Sequence, residues 1–263
     1  MHRWAVRVAY DGRAFAGSQR QPDVRTVEGE LLRGLAKIGA EPGRFQSASR
    51  TDKGVSALGN VVAFDTDFRP DALLPALGAA TEDVWPHGLC PVPATFEARH
   101  ARSRTYLYFL DAPDAEAADL EEALRLFVGT HDVRSFGRVE EGVSPIRTVL
   151  AIDVARAGGA FAIRVQGASF LWNQVRRMVE AARRVAEAEA KLDDIRRGLQ
   201  GERVDLGTAP AENLILLDVD HGLAWQPNAA AREAALDQLS ARLAGLERAR
   251  RVLDALRQGI GAG

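Results

Sequence analysis

A strict alternation of side chains over residues 3–10 most restricts how this 263-residue chain can fold. Large apolar residues occupy every second position from Trp4 to Tyr10, so they would share one face of a half-buried β-strand. A second alternating segment, residues 105–110, lies in the other half of the chain. Each segment is followed by a stretch with the apolar spacing of an amphipathic helix. This local mixture of strands and helices predicts an α+β protein.

The other elements are predicted from the same two periodicities. Further strands are expected over residues 60–67, 84–93, 147–157 and 161–166, and helices over residues 27–38, 70–77, 117–128, 171–185 and 229–258. A polar loop is expected over residues 129–136, and fraying over residues 259–263. We predict two similar lobes, residues 1–96 and 97–225, that share a central antiparallel sheet with helices on one face and an active cleft between the lobes. Residues 226–263 are expected to form a helical tail.

Composition narrows the class of protein. Cys90 is the only cysteine, which excludes intramolecular disulfides and zinc sites built on cysteine clusters. No apolar run would span a bilayer and the first residues lack the apolar core of a signal peptide, so we expect a cytoplasmic protein with no membrane partner. A net charge of −2 provides no overall attraction to nucleic acid. Binding to RNA would therefore depend on how the arginines are distributed.

The segment Arg50-Thr51-Asp52-Lys53-Gly54 places four polar side chains together between apolar segments. By itself this is ordinary turn chemistry, because glycine readily supplies a positive φ after polar residues. A catalytic carboxylate is the other interpretation of Asp52. His131 and Asp132 form a second polar pair, but adjacent residues rarely ligate one ion, so a loop-stabilising role is expected and no metal site is predicted.

Several segments, taken in chain order, resemble the TruA family of tRNA pseudouridine synthases. They are Tyr10-Asp11-Gly12 followed by Gly17 and Gln19, the segment from Arg50 to Ala57, residues 167–179 and residues 208–219. The resemblance extends over about four-fifths of the chain in matching order, which is far more specific than one short motif. Ser49 and Ser56 stand where bacterial members often have Gly and His, so the similarity is to the archaeal and eukaryotic branch.

The resemblance implies a fold, an activity and a set of site residues. The expected fold is that of the pseudouridine synthases, and the expected reaction converts uridine to pseudouridine at positions 38 to 40 of the tRNA anticodon stem-loop. No metal or organic cofactor is implied, tRNA is the implied partner, and a homodimer is usual. Asp52 would be the catalytic nucleophile, Arg176 would lie beside it, and Tyr106 and Leu214 would contact the uracil. The candidate contacts to the RNA are Arg20, Arg50, Arg102 and Arg134.

Two other classes of function stay open at this point. A non-catalytic RNA-binding module would need aromatic residues and arginines but no essential carboxylate. A hydrolase with paired carboxylates would need a second acid near Asp52, for which Asp65 and Asp67 are the nearby candidates. Arg176 also has two interpretations. It either holds Asp52 through two parallel hydrogen bonds or pairs with Glu180 one helical turn further on.

Overall fold

A computed structural model describes residues 1–261, which form one mixed sheet and six α-helices. The strands are β1 (His2–Tyr10), β2 (Gly43–Ser47), β3 (Ser56–Thr66), β4 (Val84–Pro91), β5 (Ser103–Leu110), β6 (Gly129–Asp132), β7 (Ile146–Ala157), β8 (Ala160–Gly167), β9 (Leu214–Asp220) and β10 (Gln226–Pro227). The helices are α1 (Val27–Lys37), α2 (Pro70–Ala80), α3 (Ala117–Arg125), α4 (Gln174–Ala186), α5 (Leu192–Leu199) and α6 (Ala229–Gly261). The predicted α+β class with a large antiparallel sheet is confirmed.

The ten-stranded sheet has the order β10-β4-β1-β3-β9-β5-β8-β7-β6, and β2 also pairs with β3. Among the described residues, the pairing of β3 with β9 is parallel and the other strand pairs are antiparallel. This parallel contact is short, with Ser56 opposite Ile215 and Ala57 opposite Leu216. Strands from the first and second halves of the sequence meet there, and we call this contact the β3–β9 junction.

The predicted strands form because their apolar faces are buried in this sheet. Val6 of β1 lies opposite Val62 of β3 on one side and Leu89 of β4 on the other, and all three side chains are buried. The β7–β8 hairpin turns at Gly158 and Gly159, as its alternating pattern predicts. β3 begins at Ser56, four residues earlier than expected, because its first residues pair with β9 from the other half of the chain.

The helices begin and end largely where their caps predict. The Thr26 hydroxyl accepts a hydrogen bond from the Gly29 amide at 3.2 Å, which stabilises the start of α1. α2 begins at Pro70 and runs three residues beyond the predicted end. On α4, Val175, Met178 and Ala182 are buried, which confirms the apolar helical spacing within residues 171–185.

Three predictions about local structure are wrong. Residues 129–132 of the predicted polar loop form β6, because the backbone of β7 offers a sheet edge whose hydrogen bonds do not depend on apolar side chains. The helix expected from residue 171 begins at Gln174. α6 continues through Gly261 where fraying was expected from residue 259, and residues 262–263 lie outside the described part of the chain.

The tail folds back onto the first half of the chain. Trp85 donates its indole N–H to Gln238 at 2.8 Å, and Arg242 pairs with Asp11 at 2.9 Å and with Asp83. From Leu243 onward the large apolar side chains of α6 are exposed. Across residues 1–261, no helix combines the length and the apolar character needed to cross a membrane.

Candidate active site

A cleft of about 800 Å³ opens next to the β3–β9 junction. The segment that carries Asp52 leads directly into β3, Leu214 begins β9, and Tyr106 of β5 lies opposite Leu216 of β9. Asp52, Leu214 and Tyr106 all line the cleft. The sheet order therefore brings together residues that lie far apart in the sequence.

Buried hydrogen bonds fix the backbone just before Asp52. The Thr51 amide donates to the Ser18 hydroxyl at 2.7 Å, and the Ser18 amide donates to the Thr51 carbonyl at 3.0 Å. The hydroxyl groups of Tyr10 and Thr51 are hydrogen-bonded at 2.8 Å. Burial raises the pKa of Tyr10 to about 12, so this phenol stays neutral and keeps its proton for hydrogen bonding. The Asp52 segment is therefore held by residues from the first strand and its following loop.

Two glycines of the opening motif are required by the close approach of the Asp52 segment. A Cβ atom on Gly12 would lie 2.1 Å from the Val55 carbonyl oxygen, which no packed structure permits. Gly17 has a φ of +122° and lies against the Thr51 carbonyl, where a side chain would be strained and crowded. The Tyr-Asp-Gly opening and the Asp52 segment thus form one packed unit.

Both oxygens of the Asp52 carboxylate accept hydrogen bonds from the second half of the chain. Arg176 donates Nη1–H to Oδ2 at 3.1 Å, and Trp172 donates its indole N–H to Oδ1. The side chains of Asp52 and Arg176 are 20% and 17% exposed, so the ion pair is largely shielded but still reachable from the cleft. This arrangement fixes the orientation of the carboxylate at the cleft wall.

The guanidinium of Arg176 is fixed by two further acceptors. Its Nε–H donates to the Ala209 carbonyl at 2.8 Å and Nη1 donates to the Asn173 side chain at 3.0 Å. The two parallel hydrogen bonds expected between Arg176 and Asp52 are wrong, because a single bond joins the pair while Nε–H donates to Ala209 and Oδ1 of Asp52 accepts from Trp172. Pairing with Glu180 is wrong as well, since that carboxylate binds Arg183 and Arg184 at 2.8 and 3.2 Å.

The predicted contacts to the base, Tyr106 and Leu214, also line the cleft. Tyr106 is only 9% exposed and meets the edge of Phe170 with ring centroids 5.4 Å apart. Burial raises the pKa of the Tyr106 phenol, so its hydroxyl stays protonated. Leu214 is buried at the start of β9. An aromatic ring and an aliphatic side chain are thus available to contact a planar base.

Arginines surround the cleft, although not all of the expected ones. Arg50 is exposed at the rim and lines the cleft. Arg134, another candidate from the sequence, is instead paired with Asp132 at 2.5 Å, and His131 lies 3.0 Å from the Val128 carbonyl. Four further arginines line the cleft and were not anticipated: Arg99, Arg104, Arg138 and Arg147.

Arg104 and Trp172 are the clearest site residues that the sequence reasoning missed. Arg104 donates to the carbonyls of Arg99 and Ala168 at 2.8 and 2.9 Å, which ties together two segments that border the cleft. Trp172 was placed inside an expected helix that in fact starts two residues after it, at Gln174. A large aromatic residue directly before a helix, next to an asparagine, is the signal that would have identified it.

Other acidic and metal-binding arrangements are absent from the described residues. Asp65 pairs with Arg3 at 3.0 Å and Asp67 with the N-terminal amine at 2.9 Å, and neither lines the cleft. Within residues 1–261, no three His, Cys, Asp or Glu side chains are grouped as metal ligands. Glu140 is the other carboxylate that borders the cleft in this part of the chain.

Comparison with known proteins gives consistent matches. Residues 123–221 match the model of a family described as tRNA pseudouridine synthase. The proteins called tRNA pseudouridine synthase A of Thermococcus onnurineus and Thermococcus kodakarensis are 40% and 43% identical to this chain. The alignments cover 86% and 82% of this chain and 88% and 84% of the two relatives. A solved chain in the archaeal box H/ACA sRNP Nop10-Cbf5 complex is 12% identical over 69% of this chain and 43% of its own length, with a TM-score of 0.37.

Proposed function

This chain belongs to the tRNA pseudouridine synthase A family and is an RNA pseudouridine synthase, and from this premise we propose that it modifies uridines at positions 38 to 40 of the tRNA anticodon stem-loop with Asp52 as nucleophile. The observation that carries the role of Asp52 is its ion pair with Arg176 at the wall of the cleft. The choice of positions rests on the family resemblance.

The reaction needs one oriented carboxylate and a pocket that retains a detached base. An oxygen of Asp52 bonds to C1′ of the ribose as the C1′–N1 bond breaks, and the bonding electrons leave with the uracil. The uracil then rotates, and its C5 carbon attacks C1′ and displaces the carboxylate. The C5 proton departs and N1 gains a proton, so the product is an isomer of the substrate. Removal of a ribose proton by Asp52 is the alternative first step.

Tyr106 and Leu214 are proposed to hold the uracil during that rotation. The target nucleotide must leave its stack to reach Asp52, and a flipped base is usually held by aromatic and apolar side chains. Tyr106 contributes a buried ring whose hydroxyl stays neutral, and Leu214 contributes an apolar surface next to it. The arginines around the cleft, Arg50 among them, would contact phosphates of the RNA.

Asp52→Asn tests the proposal most directly. We expect turnover to fall by roughly a thousandfold or more, because the amide cannot act as a nucleophile. The affinity for tRNA should stay within about threefold, since phosphate contacts dominate binding. Turnover is measured as tritium released from tRNA labelled at uridine C5, and mapping of the product gives the position.

The outcomes separate this function from the alternatives. Near wild-type tritium release by Asp52→Asn would remove Asp52 from the chemistry. Tight tRNA binding without tritium release by the wild-type protein would favour a non-catalytic RNA-binding module. Product at a uridine outside the anticodon stem-loop would retain the chemistry and replace the proposed position.

The family resemblance also supports a homodimer that acts in the cytoplasm. A dimer would present a second copy of the arginine-lined cleft to the same or another tRNA. Sedimentation of the purified protein, with and without tRNA, measures its mass in solution and tests this part of the proposal.

A further inference from the structure

Trp172 occupies an unusual position for a large aromatic residue. Its side chain is 47% exposed at the mouth of the cleft, although burial of a ring of this size would normally be favourable. Its indole N–H nevertheless has a hydrogen-bond partner, because it donates to Oδ1 of Asp52. The ring is thus placed for a polar contact to the proposed nucleophile rather than for packing in the core.

The backbone around Trp172 is held firmly. The buried side chain of Gln174 accepts a hydrogen bond from the Leu171 amide at 2.8 Å, which closes the turn before α4. Asn173 adopts a left-handed φ of +64°, which asparagine tolerates better than most residues. The Asn173 side chain then accepts from Arg176 at 3.0 Å. The turn before α4 and the first turn of α4 therefore direct Trp172 and Arg176 to the same carboxylate.

The segment that contains Arg138 also holds the Trp172 ring in place. The Arg138 amide donates to the Trp172 carbonyl at 2.9 Å, and the Arg138 guanidinium lies over the indole at 4.6 Å from the ring. Such a cation–π contact restricts rotation of the ring about its side-chain bonds. The indole N–H is consequently preorganised before any substrate arrives.

We propose that Trp172 is a positioning residue for Asp52, an inference that rests on the proposed role of Asp52 as nucleophile. Arg176 holds Oδ2 and Trp172 holds Oδ1, so the plane of the carboxylate cannot rotate. Each oxygen retains a lone pair, and attack on C1′ therefore remains open. Trp172 acts through Asp52 and need not touch the reacting atoms.

Trp172→Phe removes the N–H donor and keeps a ring beneath Arg138. We expect the single-turnover rate to fall roughly tenfold to a hundredfold, the usual effect of losing one hydrogen bond to a charged group, while the Kd for tRNA changes by less than about threefold. Trp172→His should recover most of the lost rate, because the imidazole Nε2 lies two bonds from Cγ, as the indole Nε1 does. Trp225→Phe makes the same change outside the cleft and should leave rate and affinity unaltered.

The alternative role for an exposed indole is a stacking surface for a neighbouring base of the RNA. In that case Trp172→Phe would keep the wild-type rate, or would lose rate only through weaker binding, and either result would overturn the proposal. An equally large loss in Trp172→His would overturn it too, because the N–H would then not be the group that matters. Asp52→Asn is measured in parallel. If that variant stays active the proposed function fails, whereas an inactive Asp52→Asn with a fully active Trp172→Phe rejects only the present inference.

Discussion

Arg176 shows at the scale of one residue why a guanidinium is needed at this site. It donates in fixed directions to Asp52, to Asn173 and to the Ala209 carbonyl, which lies 33 residues away along the chain. A lysine ammonium is a single point of charge on a flexible stem and cannot hold three acceptors in these directions. The orientation of Asp52 therefore depends on the shape of the cation as well as on its charge.

Arg176→Lys should lower the single-turnover rate by roughly tenfold to a hundredfold while folding and tRNA affinity are largely kept. Glu180→Gln is the matched control, because Glu180 pairs with Arg183 and Arg184 rather than with Arg176. Its rate should stay close to that of the wild type. Rapid-quench measurement of both variants checks the prediction, and wild-type chemistry in Arg176→Lys would exclude Arg176 from the site.

The limits of sequence reasoning are visible at the same scale. Helical spacing places Arg176 at the edge of a buried stripe, but it cannot reveal which acceptors lie opposite, because these come from the Asp52 segment and from Ala209. Trp172 was missed for a related reason, since the periodic pattern begins three residues before α4 and hides the turn there. Asp52 and Leu214 were found through ordered motifs and Tyr106 through the family resemblance, and the structure brings all three to one cleft.

At the scale of elements, the first and last parts of α6 differ in how they pack. Its first part is anchored to the body, where Arg242 reaches Asp11 and Asp83, and its last part exposes the large apolar side chains that follow. Amphipathic spacing predicted the helix itself. It could not predict which part of the helix packs, because the anchoring carboxylates, Asp11 and Asp83, belong to loops in the first half of the chain.

Arg242→Ala should lower the free energy of unfolding by about 1 kcal/mol, because two shielded carboxylates each lose one of their cationic partners. Arg250→Ala is the matched control on the exposed part of α6. Arg250 pairs only with Asp254 at 3.6 Å among the described residues, so its loss should change stability by less than about 0.5 kcal/mol. Urea unfolding of both variants measures the difference, and equal effects would contradict the assigned anchor.

At the scale of the whole molecule, all three tyrosines of the chain are buried, and Tyr106 lines the cleft. Burial raises the pKa of Tyr10 and of Tyr108 to about 12, from an ordinary value of 10.0, and raises that of Tyr106 as well. Between about pH 10 and pH 12 the unfolded chain has therefore lost tyrosine protons that the folded protein keeps. The free energy of unfolding must fall as the pH rises through this window.

We expect the wild-type protein to lose roughly 1 kcal/mol of stability per tyrosine for each pH unit above about 10. Tyrosinate absorbance should develop together with unfolding rather than before it. Tyr108→Phe removes one of the three groups and should reduce the pH dependence by about a third. Urea unfolding at about pH 9 and about pH 11 checks the slope. Tyrosinate formation in a fully folded protein near pH 10 would contradict the assigned burial.

The β3–β9 junction has a consequence for how the protein is made. A ribosome releases Asp52 long before it releases Arg176 and Leu214, and β9 must then insert between β3 and β5, which are already synthesised. Until β9 is synthesised, β2 covers β3 near Val62, so only the first residues of β3 remain as an unprotected edge. Asp52 therefore acquires its cation, its indole partner and its pocket wall only near the end of translation. A partly synthesised chain carries the carboxylate without the means to use it.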